Sequence, residues 1–285
     1  MLHWHEVAKT KSARSDFGGF ADCWEGQFLG RLKVAMKTLR SHLSDDVIMR
    51  RLKREMELWC KLKHPNILRF IGCYTMADTS YMVSPWMENR YSLAYIQAQG
   101  STRPLELLVQ VAKGLRYLHH FQPRPVIHGD LKSSNIFISE NGDARIADFG
   151  LSQFEHEEYD ENQSSAWHNG GNPRWQAPEL FEEGARRTKA TDIFAFGRVM
   201  LEFITGKIPF HGLSTARVVI KVMSNTFPDR PNNDDAIARG LDDDMWLLMG
   251  ECWNADWERR PLIADIFSRL QRALEGRDND SMVLG

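Results

Sequence analysis

The pattern of hydrophobic and polar positions divides the chain into two parts. Up to about Ser84 the pattern predicts short strands and one helix, and from about Leu93 onward it predicts mostly helices. In the second part, Asp192-Ile193-Phe194-Ala195-Phe196-Gly197 opens an apolar helix. The chain is therefore expected to form a small strand-rich part followed by a larger helical part.

One amphipathic helix is predicted within the first part, from Ser44 to Lys63. Its apolar residues recur at helical spacing with charged residues between them. These apolar residues are Val47, Leu52, Met56 and Trp59. The basic run Arg50-Arg51-Leu52-Lys53-Arg54 is interpreted as a solvated face, with a docking patch as the alternative. Ahead of the helix, the run that ends at Val34-Ala35-Met36-Lys37 has the pattern of a strand.

The composition sets limits on the cellular context. Of the 285 residues, 42% are hydrophobic, which suffices for a folded core, and the net charge is -2. A charge this small provides no global field for nucleic acid or a membrane surface. Residues 1–13 contain no apolar core of signal-peptide length, and no stretch approaches the about 20 apolar residues that a membrane span needs. We therefore expect a soluble, cytoplasmic protein that binds neither nucleic acid nor membrane.

Three features are interpreted as carrying no chemistry. The cysteines are scattered, without paired spacing or an accompanying histidine pattern, and indicate neither a disulfide framework nor a zinc site; they are Cys23, Cys60, Cys73 and Cys252. His119 and His120 are interpreted as the end of a helix and nothing more. The residues from Gly276 to Gly285 are polar, and we expect them to be disordered.

Candidate chemistry is concentrated in one motif near the middle of the chain. His128-Gly129-Asp130-Leu131-Lys132-Ser133-Ser134-Asn135 is followed, thirteen residues after the Asn, by Asp148-Phe149-Gly150. Transfer of a γ-phosphoryl group needs a carboxylate at the attacking hydroxyl and oxygen ligands that hold Mg²⁺ against the phosphates. Asp130 fits the first requirement, and Asn135 with Asp148 fits the second. Because each short motif also occurs by chance, the prediction depends on their order and spacing.

A lysine upstream of this motif is the candidate ligand for the phosphates. Lys37 ends the predicted strand, which would direct its ammonium group at the α- and β-phosphates of a nucleotide. A buried lysine needs a counter-charge, and the amphipathic helix offers two candidates. Glu55 is the preferred partner and Glu57 is the rival.

Further motifs complete an order that resembles a known family. Downstream come Ala177-Pro178-Glu179, Cys252-Trp253 and Arg260-Pro261. From roughly Phe17 to Leu274 the chain resembles the eukaryotic protein kinase domain, most closely the tyrosine-kinase-like group of Ser/Thr kinases and its fungal members. The distance to His64-Pro65-Asn66-Ile67, which resembles the helix exit of this family, favours Glu55 as the partner of Lys37.

The resemblance implies a bilobal α+β fold, ATP as the phosphoryl donor, Mg²⁺ as the metal and a protein substrate that the sequence does not identify. It implies one kinase domain over residues 1–285, with the N-lobe and hinge in residues 1–86, the C-lobe in residues 87–275 and the polar tail in residues 276–285. The boundaries follow from the expected hinge at Val83-Ser84-Pro85-Trp86-Met87.

The resemblance also implies roles for individual residues. Lys37, paired with Glu55, would orient the phosphates, Asp130 would accept the hydroxyl proton, and Lys132 would stabilise developing charge. His128 is interpreted as a packing and hydrogen-bonding residue beneath Phe149. Arg260 is expected to pair with Glu179 as a scaffold element without chemistry.

A nucleotide site is implied in the same way. Its expected contacts are Gly18, Gly19, Cys23, Ala35, Lys37, Ser84, Pro85, Met87 and Phe137. Met87 would offer its N–H to adenine and Pro85 its carbonyl, since proline removes only the donor. Cys23 would form the roof over the adenine as a packing thiol, and Phe137 would form its floor. The small Ser84 predicts room for bulky groups behind the adenine; the alternative is that it merely ends a buried strand.

The phosphate-covering loop departs from the family pattern. Kinases usually have three glycines there, whereas this chain has Asp16 and Ala21 at the first and third positions and retains only Gly18. The Asp16 carboxylate is expected to weaken ATP binding through like-charge repulsion. A pseudokinase that binds partners therefore stands beside the active kinase as the second hypothesis, and phosphorylation of a small molecule is the third.

Gly129 is a second departure, because most kinases have there an Arg that receives the activation-loop phosphate. Its absence predicts activity without phosphorylation of the loop. Acidic residues crowd this segment and are interpreted either as a solvated mobile loop or as a means of attracting basic substrates; they are Glu155, Glu157, Glu158, Asp160 and Glu161. The candidate phosphate acceptors are Ser152, Tyr159, Ser164 and Ser165.

Two residues bear on the type of substrate. Lys132, two residues after Asp130, favours a Ser/Thr kinase, because tyrosine kinases usually lack a lysine there. Asn172 stands where a Ser/Thr kinase of this group generally has Thr, so the hydroxyl that usually bridges Asp130 and Lys132 is lost. The sequence therefore leaves a reduced rate or dual specificity open.

Overall fold

The structure, a computed structural model, has the predicted strand-rich part followed by a helical part. It describes residues 2–3, 6–10, 21–39, 45–76, 79–98, 104–155 and 170–283. Gly18 and Gly19 of the phosphate-covering loop lie outside the described residues, as do the candidate acceptors Tyr159, Ser164 and Ser165. The α+β class, with a sheet in the first lobe and helices in the second, is confirmed.

In the part of the first lobe that the structure describes, there are a five-stranded antiparallel sheet and one helix. The strands are β1 (Val7–Lys9), β2 (Ala21–Phe28), β3 (Leu32–Leu39), β4 (Gly72–Met76) and β5 (Thr79–Pro85), in the order β1-β2-β3-β5-β4. Helix α1 (Asp45–Trp59) follows β3 in the chain. The predicted strand that ends at Lys37 is thus the central strand, paired on both sides.

Alternation along β3 decides which of its side chains face the second lobe. Val34 and Met36 are fully buried in a small core on one face of the sheet. Because successive side chains of a strand point to opposite faces, Ala35 and Lys37 lie on the other face. Ala35 is also the direct cross-strand neighbour of Ser84. The sheet register therefore brings together residues that are far apart in the sequence.

Helix α1 is shorter than predicted, since it ends at Trp59 and not at Lys63. A turn at Cys60 follows, and the helix does not resume before Pro65, because the residue ahead of a proline avoids the helical backbone. The side chain of Lys53 is 75% exposed, which agrees with the expected solvated face.

Seven α-helices are described in the second lobe. They are α2 (Ser92–Ala98), α3 (Pro104–His119), α4 (Lys189–Thr205), α5 (Thr215–Met223), α6 (Asp234–Ala238), α7 (Asp243–Cys252) and α8 (Ile263–Val283). Short 3₁₀ turns lie at Ser133–Asn135, Pro178–Phe181 and Trp257–Arg259. Among the described residues, no helix is long and apolar enough to cross a membrane.

Helix α4 forms the centre of the second lobe. Nearly every residue from Thr191 to Ile204 is buried, as its apolar sequence predicts. The helix begins at a capping box between Thr188 and Thr191, which satisfies N–H groups of its first turn. It ends at Gly206, whose φ of 66° suits a residue without a Cβ.

Two short strand pairs position the loops at the base of the first lobe. Strand β6 (Val126–Ile127) pairs with β9 (Gln153–Phe154), and β7 (Ile136–Ile138) pairs with β8 (Ala144–Ile146). Asp130 and Asn135 lie between β6 and β7, whereas Asp148 lies between β8 and β9. The antiparallel pairing therefore brings the two chemical motifs to the same place.

The last helix extends into the segment that the sequence sets apart as a polar tail. Disorder is expected from Gly276, whereas α8 continues to Val283. Extending an existing helix adds one hydrogen bond per residue and needs no new nucleation. Polar composition alone therefore does not end a helix that begins in the core.

Candidate active site

A cleft lies between the sheet and the helical lobe. Seven of the nine predicted nucleotide contacts line it, namely Cys23, Ala35, Lys37, Ser84, Pro85, Met87 and Phe137. The other two, Gly18 and Gly19, fall outside the described residues. Asn135 and Asp148 line the same cleft, so the predicted metal ligands and nucleotide contacts share one cavity.

The cleft is lined from both lobes, by Cys23 of β2 and Phe137 of β7 among others. Burial raises the pKa of the Cys23 thiol to about 11, and the opposing charge of Lys37 does not offset it. Because the thiolate is the nucleophile, this thiol is unreactive at neutral pH. The packing interpretation of Cys23 agrees with its surroundings.

The cleft extends from the hinge to α1 past Ser84. Ser84 is buried in the middle of the lining, and a serine side chain fills little of the passage. Trp59 and Leu68 line the far part, and the Trp59 Nε1 donates a 2.6 Å hydrogen bond to the Leu68 carbonyl. No sequence pattern assigns Trp59 and Leu68 to this cavity.

The hinge is held by two backbone hydrogen bonds. The N–H of Trp86 donates to the carbonyl of Lys33 at 3.1 Å, and the N–H of Arg90 donates to the carbonyl of Met87 at 3.1 Å. Pro85 and Met87, the two residues expected to bond adenine, line the cleft on either side of Trp86. Their backbone is therefore fixed before any ligand binds.

Lys37 contacts two carboxylates, one from each lobe. Its Nζ lies 3.0 Å from Glu55 Oε1 and 2.7 Å from Asp148 Oδ1. The rival Glu57 is instead 61% exposed and lies 3.9 Å from Lys53. Burial opposes the charge on Lys37, but Asp148 and Glu55 outweigh burial and raise its pKa. Lys37 is therefore an ammonium ion throughout the physiological pH range.

Asp148 is ionised and has an unusual backbone conformation. Burial disfavours its charge, but Lys37 outweighs burial and lowers the pKa of Asp148 to about 2. Its φ is 66°, a region that is unfavourable for residues other than glycine and that occurs preferentially at functional sites. The carboxylate is therefore available as an anionic oxygen ligand at any physiological pH.

A row of aromatic rings, in tilted and edge-to-face contact, lies next to Asp148. The ring of Phe149 lies 5.9 Å from that of Trp59 and 5.4 Å from that of His128, and the ring of Trp59 lies 5.2 Å from that of Phe70. Aromatic pairs at such separations are attractive beyond their buried area. These contacts connect α1 with the loop that carries Asp130, and His128 packs against Phe149 as predicted.

Asp130 is held by its own loop. Asn135 Nδ2 donates to the Asp130 carbonyl at 2.8 Å and to its Oδ2 at 3.1 Å, and Lys132 Nζ donates to Oδ2 at 2.6 Å. The N–H of Asp130 donates to His128 Nδ1 at 3.3 Å, which leaves His128 Nε2 to donate to the Ala147 carbonyl at 3.0 Å. The side chains of this motif thus converge on one carboxylate.

Asp192 anchors the loop from the central helix α4. It accepts hydrogen bonds from the backbone N–H groups of His128 at 2.8 Å and Gly129 at 2.9 Å. The interpretation of His119 as a helix end and nothing more is wrong: α3 does end there, but His119 Nε2 lies 3.0 Å from Asp192 Oδ2 in a buried contact. The contact spans 73 positions, which no local pattern reveals.

Glu202 is a second anchor, and the sequence analysis missed it. Its buried carboxylate accepts from Ser133 N at 3.1 Å, from Ser133 Oγ at 2.6 Å and from Trp175 Nε1 at 2.7 Å. Burial raises the pKa of Glu202 to about 7, against the lowering effect of these donors. The signal that could have revealed it is a glutamate within an apolar helix, since buried carboxyl groups need partners.

The segment after the acidic run is attached to the second lobe. Arg174 Nη1 donates to the carbonyls of Pro209 and Phe210, both at 2.7 Å. Asn172 Oδ1 accepts from the N–H of Arg174 at 3.1 Å, so the side-chain oxygen of Asn172 is hydrogen-bonded within its own segment. The expected pair of Arg260 and Glu179 is present, with two bonds of 2.6 and 2.8 Å; Arg260 also donates to Ala190.

Asn135 and Asp148 fit the predicted Mg²⁺ site by the chemistry of their free atoms. Asn135 uses Nδ2 for both of its bonds to Asp130, so Oδ1 is the atom left for a ligand. Mg²⁺ prefers oxygen ligands and is commonly bound by one or two carboxylates together with phosphate oxygens and water. Among the described residues, no cluster of three or more His, Cys, Asp or Glu side chains could hold a metal ion.

A sheet lobe and a helical lobe around a cleft with these residues define a protein kinase domain. The chain matches the family described as protein tyrosine and serine/threonine kinase over residues 14–270, and it therefore belongs to that family.

Individual relatives agree with this assignment. The serine/threonine-protein kinase VIK of Arabidopsis thaliana is 28% identical over 285 residues, covering 95% of this chain and 63% of that protein. The serine/threonine-protein kinase TNNI3K of Rattus norvegicus is 31% identical over 281 residues, covering 96% of this chain and 31% of that protein. The tyrosine-protein kinase FRK of Homo sapiens is 28% identical over 264 residues, covering 90% of this chain and 50% of that protein. The chain thus spans less than two thirds of these relatives, and the likeness to fungal members stays a prediction.

Proposed function

We propose that this chain is an active protein kinase that transfers the γ-phosphoryl group of ATP to Ser/Thr hydroxyls of proteins with the help of Mg²⁺. The observation that carries the proposal is the connected set of contacts from Glu55 through Lys37 to Asp148, with Asp130 held nearby by Asn135 and Lys132. Members of the family generally use ATP and Mg²⁺. Each group that phosphoryl transfer requires is ionised, positioned or hydrogen-bonded for its role.

The mechanism assigns one task to each residue. Lys37, fixed by two carboxylates, would present a desolvated ammonium group to the phosphates, where charge interactions are stronger than in water. Asn135 and Asp148 would hold Mg²⁺, which when bound neutralises phosphate charge. Asp130 would accept the proton of the attacking hydroxyl. Lys132, 2.6 Å from Asp130 Oδ2, would stabilise the charge that develops during transfer.

We extend the proposal to activity without phosphorylation of the activation loop. In support, the described start of that segment is held by unmodified groups: Ser152 Oγ donates to the His128 carbonyl at 2.7 Å, and Glu155 pairs with Lys189 at 2.8 Å. Ser152 itself is buried in this contact, which argues against its role as a phosphate acceptor. Phosphatase treatment is expected to leave turnover unchanged, and abolished turnover would reject this extension.

The test of the main proposal is phosphate incorporation into a generic basic protein with Mg-ATP, beside the variant Asp130→Asn. We expect incorporation by the parent and at least about a 100-fold loss in the variant, the usual contribution of a general base. Phosphoamino-acid analysis then separates Ser/Thr transfer from tyrosine or dual specificity, which Lys132 and Asn172 leave open. A parent that binds Mg-ATP without transfer would instead support the pseudokinase, for which Asp16 and Ala21 are the sequence argument.

A further inference from the structure

Gly129, between His128 and Asp130, has no room for a side chain. Its φ is 80°, a conformation that L-residues with a Cβ rarely adopt. A Cβ built on it would lie 2.6 Å from Arg187 Cδ and 2.6 Å from the Leu151 carbonyl oxygen. The volume that a side chain at position 129 would need is therefore occupied by Arg187, which comes from the segment just ahead of α4.

Arg187 is a buried cation that bridges two segments. Only 5% of the residue is exposed. Its Nε donates to the Gly129 carbonyl at 3.2 Å and its Nη2 donates to the Gly170 carbonyl at 2.8 Å. A guanidinium group suits this position because its donors form a rigid planar fork that can reach two acceptors at once.

The charge of Arg187 is balanced by carboxylates of the active site. Burial lowers the pKa of Arg187, and the charges of Asp130 and Asp192 act in the opposite direction. Both carboxylates belong to the arrangement described above, in which Asp192 anchors the loop and Asp130 lies at its end. Arg187 therefore lies within the electrostatic reach of both carboxylates, which favour its charged form.

The second attachment point, Gly170, begins the described segment on the far side of the acidic run. Its carbonyl also accepts from Gln176 Nε2 at 2.7 Å. The next residue approaches the base directly, because a Cβ built on Gly171 would lie 3.6 Å from Asp130 Oδ1. The position of Gly170 therefore sets how closely this segment, on which a protein substrate would lie, approaches Asp130.

We propose that Arg187 is a positioning residue that ties the loop of Asp130 to the segment 170–176, so that alignment of the base with its substrate needs no phosphate on the activation segment. The inference rests on the proposed kinase function and concerns the regulation of the same site. The cation at this junction comes from position 187 and occupies space that is open only because residue 129 is a glycine. Arg187 acts through Asp130 and Gly170 and does not touch the reacting atoms.

The experiment compares Arg187→Met and Arg187→Lys with the parent chain after phosphatase treatment. Arg186→Met is the matched control, because Arg186 is the adjacent arginine and is exposed. For each protein, kcat and the KM values for ATP and for a generic basic protein are measured with Mg-ATP. Thermal unfolding verifies that each variant is folded.

We expect Arg187→Met to lower kcat about 10- to 100-fold, the effect of a small misplacement of a catalytic group, while the KM for ATP changes less than about twofold. Arg187→Lys keeps the charge but not the planar fork, so we expect an intermediate kcat.

Hydrogen exchange gives a readout that does not depend on activity. Without the bridge, amide exchange in residues 129–131 and 170–176 is expected to become faster in Arg187→Met and to stay unchanged in Arg186→Met. If the parent shows no transfer that depends on Asp130, the proposed function fails, and exchange alone then decides whether the tether exists.

Three results would overturn the inference. The first is a folded Arg187→Met that retains the parent kcat, and the second is an equal loss of kcat in Arg186→Met. If Arg187→Met does not fold, the decision falls to Arg187→Lys, and a kcat equal to that of the parent would show that no bridging fork is needed. Unchanged exchange in both segments would likewise reject the tether.

Discussion

Arg198, in the middle of α4, is a buried cation whose removal is expected to stabilise the protein. Only 1% of the residue is exposed, and its guanidinium lies over three rings, 5.0 Å from Phe194, 5.0 Å from Phe210 and 4.6 Å from Trp253. Its Nε and Nη1 have no hydrogen-bond partner among the described residues. Burial lowers the pKa of Arg198 to about 9, so the group is still charged at neutral pH.

The magnitude follows from these contacts. Each buried N–H without a partner costs about 1–3 kcal/mol, and the contacts with rings offset part of this at about 0.5–2 kcal/mol. In Arg198→Met, an unbranched thioether would fill similar space and contact the same rings favourably. We therefore expect the free energy of unfolding to rise by about 1–3 kcal/mol, in the range seen when buried charges are replaced by apolar residues.

Urea unfolding of the parent and of Arg198→Met, monitored by tryptophan fluorescence, measures this change as a higher midpoint at an unchanged slope. The control is Arg217→Met on α5, where the arginine is exposed and the effect should stay within about 0.5 kcal/mol. A midpoint that falls in Arg198→Met but not in the control would refute the reasoning. It would mean that the guanidinium donates to a partner such as a buried water, a hydrogen bond that the three rings do not provide.

Further predictions concern the cleft and its supports. Burial raises the pKa of Glu202 to about 7, so the folded state binds the proton more tightly than the unfolded state. This contribution to stability is full below about pH 4.5, declines as the pH rises to about 7 and is constant above it. The urea midpoint of Glu202→Gln should lack this decline, and parallel plots of midpoint against pH for the parent and the variant would contradict the assignment. Ser84→Met should lower the affinity of ATP-site compounds with a bulky group behind the adenine by at least about tenfold, through steric exclusion, and leave ATP binding unchanged. An equal loss of affinity for ATP and for these compounds in a binding assay would mean that Ser84 does not lie behind the adenine. Gly129→Ala should lower the free energy of unfolding by about 1–2 kcal/mol through backbone strain alone. It should also reduce kcat, because the new Cβ contacts the Leu151 carbonyl, whereas turnover equal to that of the parent would show that this loop adapts. Asp16→Gly should lower the KM for ATP by removing like-charge repulsion, and an unchanged KM would mean that the carboxylate points to solvent.

Sequence reasoning was most effective where chemistry and local periodicity coincide. Alternation along β3 places Lys37 on the cleft face, and the resemblance of His64-Pro65-Asn66-Ile67 to the helix exit of the family favours Glu55 as its partner. The same rules explain why α4 is buried. These features depend on short stretches of chain, in which residue type and backbone geometry act together.

The supports of the site could not be predicted, because they arise from contacts between distant elements. His119 and Asp192 are 73 positions apart, and Ser133 and Glu202 are 69 positions apart. No periodicity links such pairs, and each partner taken alone has an ordinary local interpretation. Arg187 is the extreme case, since its position beside a glycine of another loop appears only when the chain is folded.

The shared space of Gly129 and Arg187 has a consequence for how this protein can change in evolution. Any side chain gained at position 129 meets both Arg187 and the Leu151 carbonyl, and loss of Arg187 alone removes one donor from each of the Gly129 and Gly170 carbonyls. A single step at either position therefore leads to an impaired protein. An arginine at position 129 would therefore require both residues to change together with a backbone rotation away from a φ of 80°.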